Sequence, residues 1–141
     1  MKITHPSISV IVPTHNRSSV VEKCLDALSR QTLSADCFEV IISDDGSTDN
    51  LREKIEIIRS KSHLHIRYLR QKNSGANAAR NKAILESQGN LLLIINFDSG
   101  ICVAWMISFG VLMDSIANES CSLIRDDRYS AIILGPSGNM R

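Results

Sequence analysis

The sequence contains no Gly-x-Gly-x-x-Gly after a strand pattern and no Walker-type Gly-Lys-Ser/Thr. The two common phosphate-cradling fingerprints are therefore missing, which removes dinucleotide-cofactor and P-loop hydrolase readings. There is no long run of charge of either sign, and a net charge of +1 leaves no basic footprint for a nucleic acid. A nucleotide partner would be met as a small molecule. Cys24, Cys37, Cys102 and Cys121 show neither C-x-x-C nor Cys/His metal spacing. They read as small buried thiols in a reducing compartment. The start of the chain lacks a signal peptide's apolar core, so a cytoplasmic location is expected. The apolar stretch 101–113 falls short of the ~20 residues that cross a bilayer and reads as a buried helix. Repeats, low-complexity tracts and linkers are also absent. With 141 residues the chain is expected to form a single domain, residues 1–141.

What is present is an alternation of strand and helix patterns. Residues 8–12 read as a strand cut by Pro13. Ser18-Ser19 then opens a helix, Ser19 and Glu22 having capping-box spacing, with Val21, Cys24, Leu25 and Leu28 on one face. Residues 38–43 form the second strand, and the turn Asp45-Gly46-Ser47-Thr48-Asp49 supplies hydroxyls to cap the next helix. That helix turns Leu51, Ile55 and Ile58 inward. A weaker strand covers 65–69, and a helix over about 76–87 carries a small face of Ala76, Ala79, Ala83 and Ile84. Gly89-Asn90 ends that helix ahead of a strand at 91–95. A helix near 103–117 and a strand at 131–134 follow. The alternation predicts an α/β fold: a mostly parallel sheet with helices on both faces.

Two apolar strands end in acid, at Asp44-Asp45 and at Asn96-Phe97-Asp98. Charge at a strand's C-terminal end does nothing for a core, and in open α/β sheets ligands bind at that edge. The pattern points to a site for a cation, a base edge or both. A carboxylate in such a place accepts an imide N–H from uracil or thymine, or the paired N–H groups of guanine. The histidines carry less: His15 belongs to a turn, and His5, His63 and His65 read as surface or strand-edge residues. Trp105, Met106 and Met113 read as packing.

Five segments fall in one order: Val10-Ile11-Val12-Pro13-Thr14-His15-Asn16-Arg17, Gln31-Thr32, residues 39–49, residues 73–81 and Asn96-Phe97-Asp98. Over roughly residues 7–100 this arrangement resembles the nucleotide-binding half of a family 2 glycosyltransferase with the Rossmann-like GT-A fold. The resemblance implies transfer of a sugar from a nucleoside-diphosphate sugar to a saccharide, lipid-linked or other acceptor, with inversion and with Mn²⁺ or Mg²⁺. It places Pro13, Thr14 and Asn16 against the donor and gives Asp45 the base. Asp44 is counted with them as donor-binding or as an acid that orients the loop, and Arg80 lies near the nucleotide. Asp98 takes the metal position. Asn96 departs from the family's Asp-x-Asp; its amide oxygen still accepts from a ribose hydroxyl but adds no charge. Asp49 reads as a solvated turn acid.

The resemblance puts the catalytic base on an acceptor-binding half, beyond Arg141, and Asp126-Asp127 are poor substitutes. The chain then reads as truncated before that half. The alternative is a non-catalytic nucleotide-sugar-binding fragment. A receiver-like signalling domain would carry acids at the end of the first strand, where this chain has Pro13-Thr14. The apolar 101–113 segment covers more than one helical face, so an oligomer, a partner or peripheral membrane association is expected to cover it.

Overall fold

Runs of β-branched and other apolar residues bounded by polar turns make each strand, and each is followed by a helix that folds back over the sheet. A computed structural model describes residues 6–95. Its elements are β1 (Ile8–Thr14), α1 (Ser18–Ser29), β2 (Phe38–Asp44), α2 (Leu51–Lys61), β3 (His65–Arg70), α3 (Ala76–Glu86) and β4 (Leu91–Ile94). The expected elements at 103–117 and 131–134, with Asn96, Asp98, Cys102, Trp105, Met106, Met113, Cys121, Asp126, Asp127 and His5, lie outside the described residues.

The sheet has the order β3-β2-β1-β4 and every pair is parallel. The chain steps outward from β1 through β2 to β3, then returns to the other side of β1 for β4. That reversal makes β1 the topological switch, where an open α/β sheet leaves a crevice beyond its strand ends. Right-handed crossovers put the helices before and after the reversal on opposite faces. Val10, Val12, Val40 and Ile42 pack with Val21, Leu25 and Leu28 of α1 and Leu51 and Ile55 of α2. Ile11, Ile41, Leu92 and Ile94 face the other way, toward Ala83 of α3. Both faces are covered, as the alternation predicts. Among the described residues, no helix is long and apolar enough to cross a membrane.

Several local expectations are corrected. Pro13 does not cut β1; it pairs with Ser43 and the strand continues through Thr14. Ile95 donates to the Ile11 carbonyl, so residues 11 and 13 face β4, and the last described β1–β4 pair is Ile11–Ile94. Pro13 lies past that pair, where no described ladder bond needs its N–H. The capping box at Ser19 does not form: α1 is preceded by Arg17, which makes no side-chain cap. Asp49 instead accepts from the Ser18 backbone N–H at 3.0 Å and from Leu51 N–H at 3.3 Å. It therefore serves two helix starts and is more than a solvated turn acid. The hydroxyls of Ser47 and Thr48 do not cap α2, whose leading residue Asn50 also makes no side-chain cap. Ala76 is exposed, while Ala79 and Ala83 are buried. Gly89 is not the cap of α3, a position held by Ser87. Its absent side chain makes room for β1, because a Cβ there would stand 2.5 Å from the Ser9 nitrogen.

Candidate functional site

Asp44, the last residue of β2, and Asp45, the first beyond it, have separate surroundings. Asp44 is fully buried. Its Oδ1 accepts from the Ser47 backbone N–H at 2.9 Å; its Oδ2 accepts from the Tyr68 hydroxyl and from Arg70 Nη1 at 3.3 Å. These bonds tie Asp44 to its own turn and to β3. Burial first, then the bond to Asp44, raises the pKa of the Tyr68 phenol above its usual 10.0.

Asp45 is 4% exposed and looks toward the start of α3. Oδ1 accepts from Gln71 Nε2 at 2.8 Å and from Ser74 N–H at 2.7 Å, and Oδ2 accepts from Gly75 N–H at 2.9 Å. Gly75 immediately precedes α3, with φ of 102°. The carboxylate thus sits where a helix N-terminus favours negative charge. Burial works to raise its pKa, but the bonds from Gln71, Ser74 and Gly75, with His15 nearby, outweigh it and hold the group below the usual 3.8. No arginine or lysine pairs with it among the described residues. It is a buried anion held by dipoles.

Beside it, Thr14 is 6% exposed, and its Oγ1 is buried with no hydrogen-bond partner among the described residues. A buried hydroxyl left unmatched is uncommon and calls for a reason. The Thr14 carbonyl accepts from the Asp45 N–H at 2.9 Å, which fixes the two residues side by side. Pro13 is half-buried next to them.

The two turns at this edge are stitched to each other. Asn16, with φ of 50°, donates its N–H to Ser47 Oγ at 2.9 Å and accepts at Oδ1 from Thr48 N–H at 2.8 Å. His15 Nδ1 lies 2.9 Å from the Asp45 carbonyl. Asn16 therefore spends its amide oxygen on the neighbouring turn. Gly46, at φ of 77°, allows the loop after β3 to approach closely; a Cβ there would stand 2.9 Å from the Asn73 nitrogen. Arg80, one turn into α3, donates to Asn77 Oδ1 at 2.7 Å, and Ser43 Oγ pins α3 by donating to the Ala79 carbonyl at 2.7 Å.

Of the residues picked out in the sequence, Thr14, Asn16, Asp44 and Asp45 meet at one edge. Asn96 and Asp98 lie outside the described residues. Among the described residues no three His, Cys, Asp or Glu side chains gather to hold a metal. Gln71 was missed, as were the backbone donors of Ser74 and Gly75. The signal available was the turn Asn73-Ser74-Gly75 ahead of a helix. A hollow of about 1020 Å³ opens at the opposite end of the sheet, between Phe38, His65 and Arg67, away from both acids.

The same architecture occurs in solved glycosyltransferases. Staphylococcus aureus TarS 1–349 in complex with UDP-GlcNAc superposes with a TM-score of 0.60 at 30% identity, covering 79% of this chain and 30% of that one. The mannosyltransferase PcManGT of Pyrobaculum calidifontis, in complex with GDP-Man and Mn²⁺, gives 0.59 at 28% identity, covering 64% and 27%. The fold is GT-A. In sequence, validoxylamine A glucosyltransferase of Streptomyces hygroscopicus subsp. jinggangensis is 37% identical over 99 residues. That alignment covers 68% of this chain and 22% of the relative. Residues 9–102, from the second residue of β1 past β4, match the family described as Glycosyl transferase family 2, and the chain belongs to that family.

Proposed function

We propose that this chain binds a nucleoside-diphosphate sugar at the C-terminal edge of its sheet and serves as the donor half of an inverting glycosyltransferase. The observation that carries the reading is a buried Thr14 hydroxyl with no partner, beside an Asp45 carboxylate with no paired arginine or lysine, both among the described residues. A nucleotide would give the Thr14 hydroxyl a partner and the Asp45 carboxylate a further donor. The UDP-GlcNAc and GDP-Man complexes of the solved relatives support the same ligand class.

In the reaction, an acceptor hydroxyl oxygen bonds to the anomeric carbon from the face opposite the diphosphate. The bond from that carbon to the diphosphate oxygen breaks, and the leaving group keeps the electron pair. A general base takes the hydroxyl proton. Asp45 is unsuited to that task, since three hydrogen bonds and a lowered pKa stabilise its deprotonated form. Its work is to hold the base of the nucleotide, with Thr14 and Pro13 alongside. Asn16 and Asp44 keep the turns in register, and Arg80 offers positive charge on α3.

Asp98 follows β4 in sequence and would hold Mn²⁺ or Mg²⁺ with the hard oxygen donor such ions take, while the Asn96 amide oxygen would accept from a ribose hydroxyl. When bound, the ion stabilises the negative charge gathering on the departing diphosphate. Asn96, neutral where the family pattern has an acid, favours the second reading, a binding module that does not turn over. Product formation from a nucleotide sugar with varied acceptors separates the two.

The test of the donor site is calorimetric titration of the 141-residue chain with UDP, dTDP and GDP, with and without Mn²⁺. Asp45→Ala should weaken binding under both conditions, and Asp98→Ala should remove only the Mn²⁺-dependent part. Failure of all three nucleotides to bind in the presence of Mn²⁺ would overturn the reading.

A further inference from the structure

The proposed donor site leaves the base undetermined, and the hydrogen bonds around Asp45 narrow it. An ionised carboxylate offers about four acceptor positions, two on each oxygen. Oδ1 already receives Gln71 Nε2 and Ser74 N–H, so both of its positions are taken. Among the described residues Oδ2 receives Gly75 N–H alone. One acceptor position remains, and it is on Oδ2. The orientation of the Gln71 amide follows from its partner: a carboxylate only accepts, so the nitrogen must face it.

A base presenting a single ring N–H fits one open position. Uracil and thymine do this, with the N3 imide N–H flanked by two carbonyls. Gln71 Nε2 carries a second N–H, a donor for one of those carbonyls. Guanine presents N1–H and the N2 amino group side by side and is matched by two free carboxylate oxygens. Here one of its donors would meet a filled oxygen and stay unpaired, which is costly when buried. Adenine and cytosine set a ring lone pair beside their amino group, and that lone pair would face the carboxylate.

We propose that Gln71, by occupying Asp45 Oδ1, is a specificity-determining residue that commits the site to a uracil or thymine nucleoside diphosphate and against guanine. The proposal rests on the donor-site reading above. Selectivity here is imposed by a filled acceptor, which is discrimination by exclusion as much as by attraction.

The experiment uses the 141-residue chain with Mn²⁺ and three probes: UDP, GDP and the diphosphate of N3-methyluridine. UDP should bind at least about tenfold more tightly than GDP. N3-methylation, which removes the one N–H, should cost UDP at least about tenfold. Gln71→Leu frees a position on Oδ1 and should shrink the UDP-to-GDP ratio, with circular dichroism confirming the fold. If that variant does not fold, the wild-type measurements with the methylated probe still decide. GDP binding as tightly as UDP, or N3-methyl-UDP binding as tightly as UDP, overturns the base assignment and leaves the donor site standing. An unchanged ratio in folded Gln71→Leu removes Gln71 from the mechanism. No binding by any probe overturns the donor site itself.

Discussion

The sheet has a buried acid at each end, and the two are treated differently. At the N-terminal edge, Glu39 is 2% exposed and accepts three hydrogen bonds: Ser9 Oγ at 2.6 Å, Gln88 N–H at 2.8 Å and Arg67 Nη1 at 3.2 Å. Ser9 Oγ in turn accepts from Gly89 N–H at 2.8 Å, so one carboxylate knits β1, β2, β3 and the turn before β4. At the C-terminal edge Asp45 also accepts three bonds, all from neutral donors. The number of bonds does not separate them. The counter-charge does. Glu39 is answered by Arg67 and Asp44 by Arg70, whereas no cation among the described residues pairs with Asp45. A buried acid with its own arginine is part of the frame. One bonded by N–H dipoles, next to a hydroxyl with no partner among the described residues, is prepared for something that arrives.

The largest expected effect is on the frame. Glu39→Ala leaves Ser9 and the Gln88 N–H without their shared acceptor and leaves Arg67 its bonds to Glu86, and each buried donor left unmatched costs about 1–3 kcal/mol. Urea unfolding should show that loss, while UDP affinity of the protein that remains folded should be unchanged. A loss below about 1 kcal/mol would mean that water reaches Glu39 and that the two edges are not different in kind.

This contrast explains what could be read from the sequence. The parallel sheet, its two covered faces and the acidic edge were legible because each rests on local pattern. Buried runs of Val, Ile and Leu mark the strands, and Val21, Cys24, Leu25 and Leu28 mark a helix face. Asp45 and Thr14 stood out because polar groups at a strand end are locally anomalous. Gln71 did not, since it meets Asp45 across 26 residues of chain and no periodicity announces it. Glu39 looked like one more strand residue until Ser9 and Gln88 closed around it. Pro13 misled for the same reason: a proline breaks a strand only where a neighbour wants its N–H, and the end of β4 is a tertiary fact. Asp49 caps a helix start 31 residues away, which displaced the local capping box at Ser19.

A smaller effect comes from Asp44, the acid that belongs with Glu39 in kind. Tyr68→Phe removes one donor to a fully buried carboxylate and should cost about 2 kcal/mol. Because the folded phenol pKa is raised above 10.0, its contribution is complete below pH 10 and is lost as pH climbs through the folded value. Wild type should therefore lose stability above pH 10 more steeply than Tyr68→Phe. Parallel alkaline limbs would show that the phenol does not feel Asp44.

Asp45 gives the opposite sign with a lesser amplitude. Its folded pKa lies below 3.8, so its contribution is present above pH 3.8 and disappears as pH falls through the lower folded value. Asp45→Asn should be slightly less stable than wild type near neutrality, and the difference should close below pH 3.8. A difference that persists to pH 2 would assign the effect to shape and not to charge.

The smallest change in stability should come from Thr14, and it is the most pointed test of the comparison. Thr14→Val keeps the branched shape that β1 packs and deletes only the hydroxyl. Where a buried hydroxyl has a partner, that swap costs stability, because the partner is left unmatched. Here Oγ1 has no partner among the described residues, so burying it is itself unfavourable. Valine should therefore raise stability by about 0.5–1 kcal/mol. The hydroxyl's use appears only when a nucleotide arrives, and UDP should bind the variant several-fold more weakly. Gain in one measurement and loss in the other is the signature of a group held unsatisfied for a ligand. A destabilised Thr14→Val would reveal an internal partner for Oγ1, and unchanged UDP binding would remove Thr14 from the site, leaving Asp45 to carry the donor-site reading.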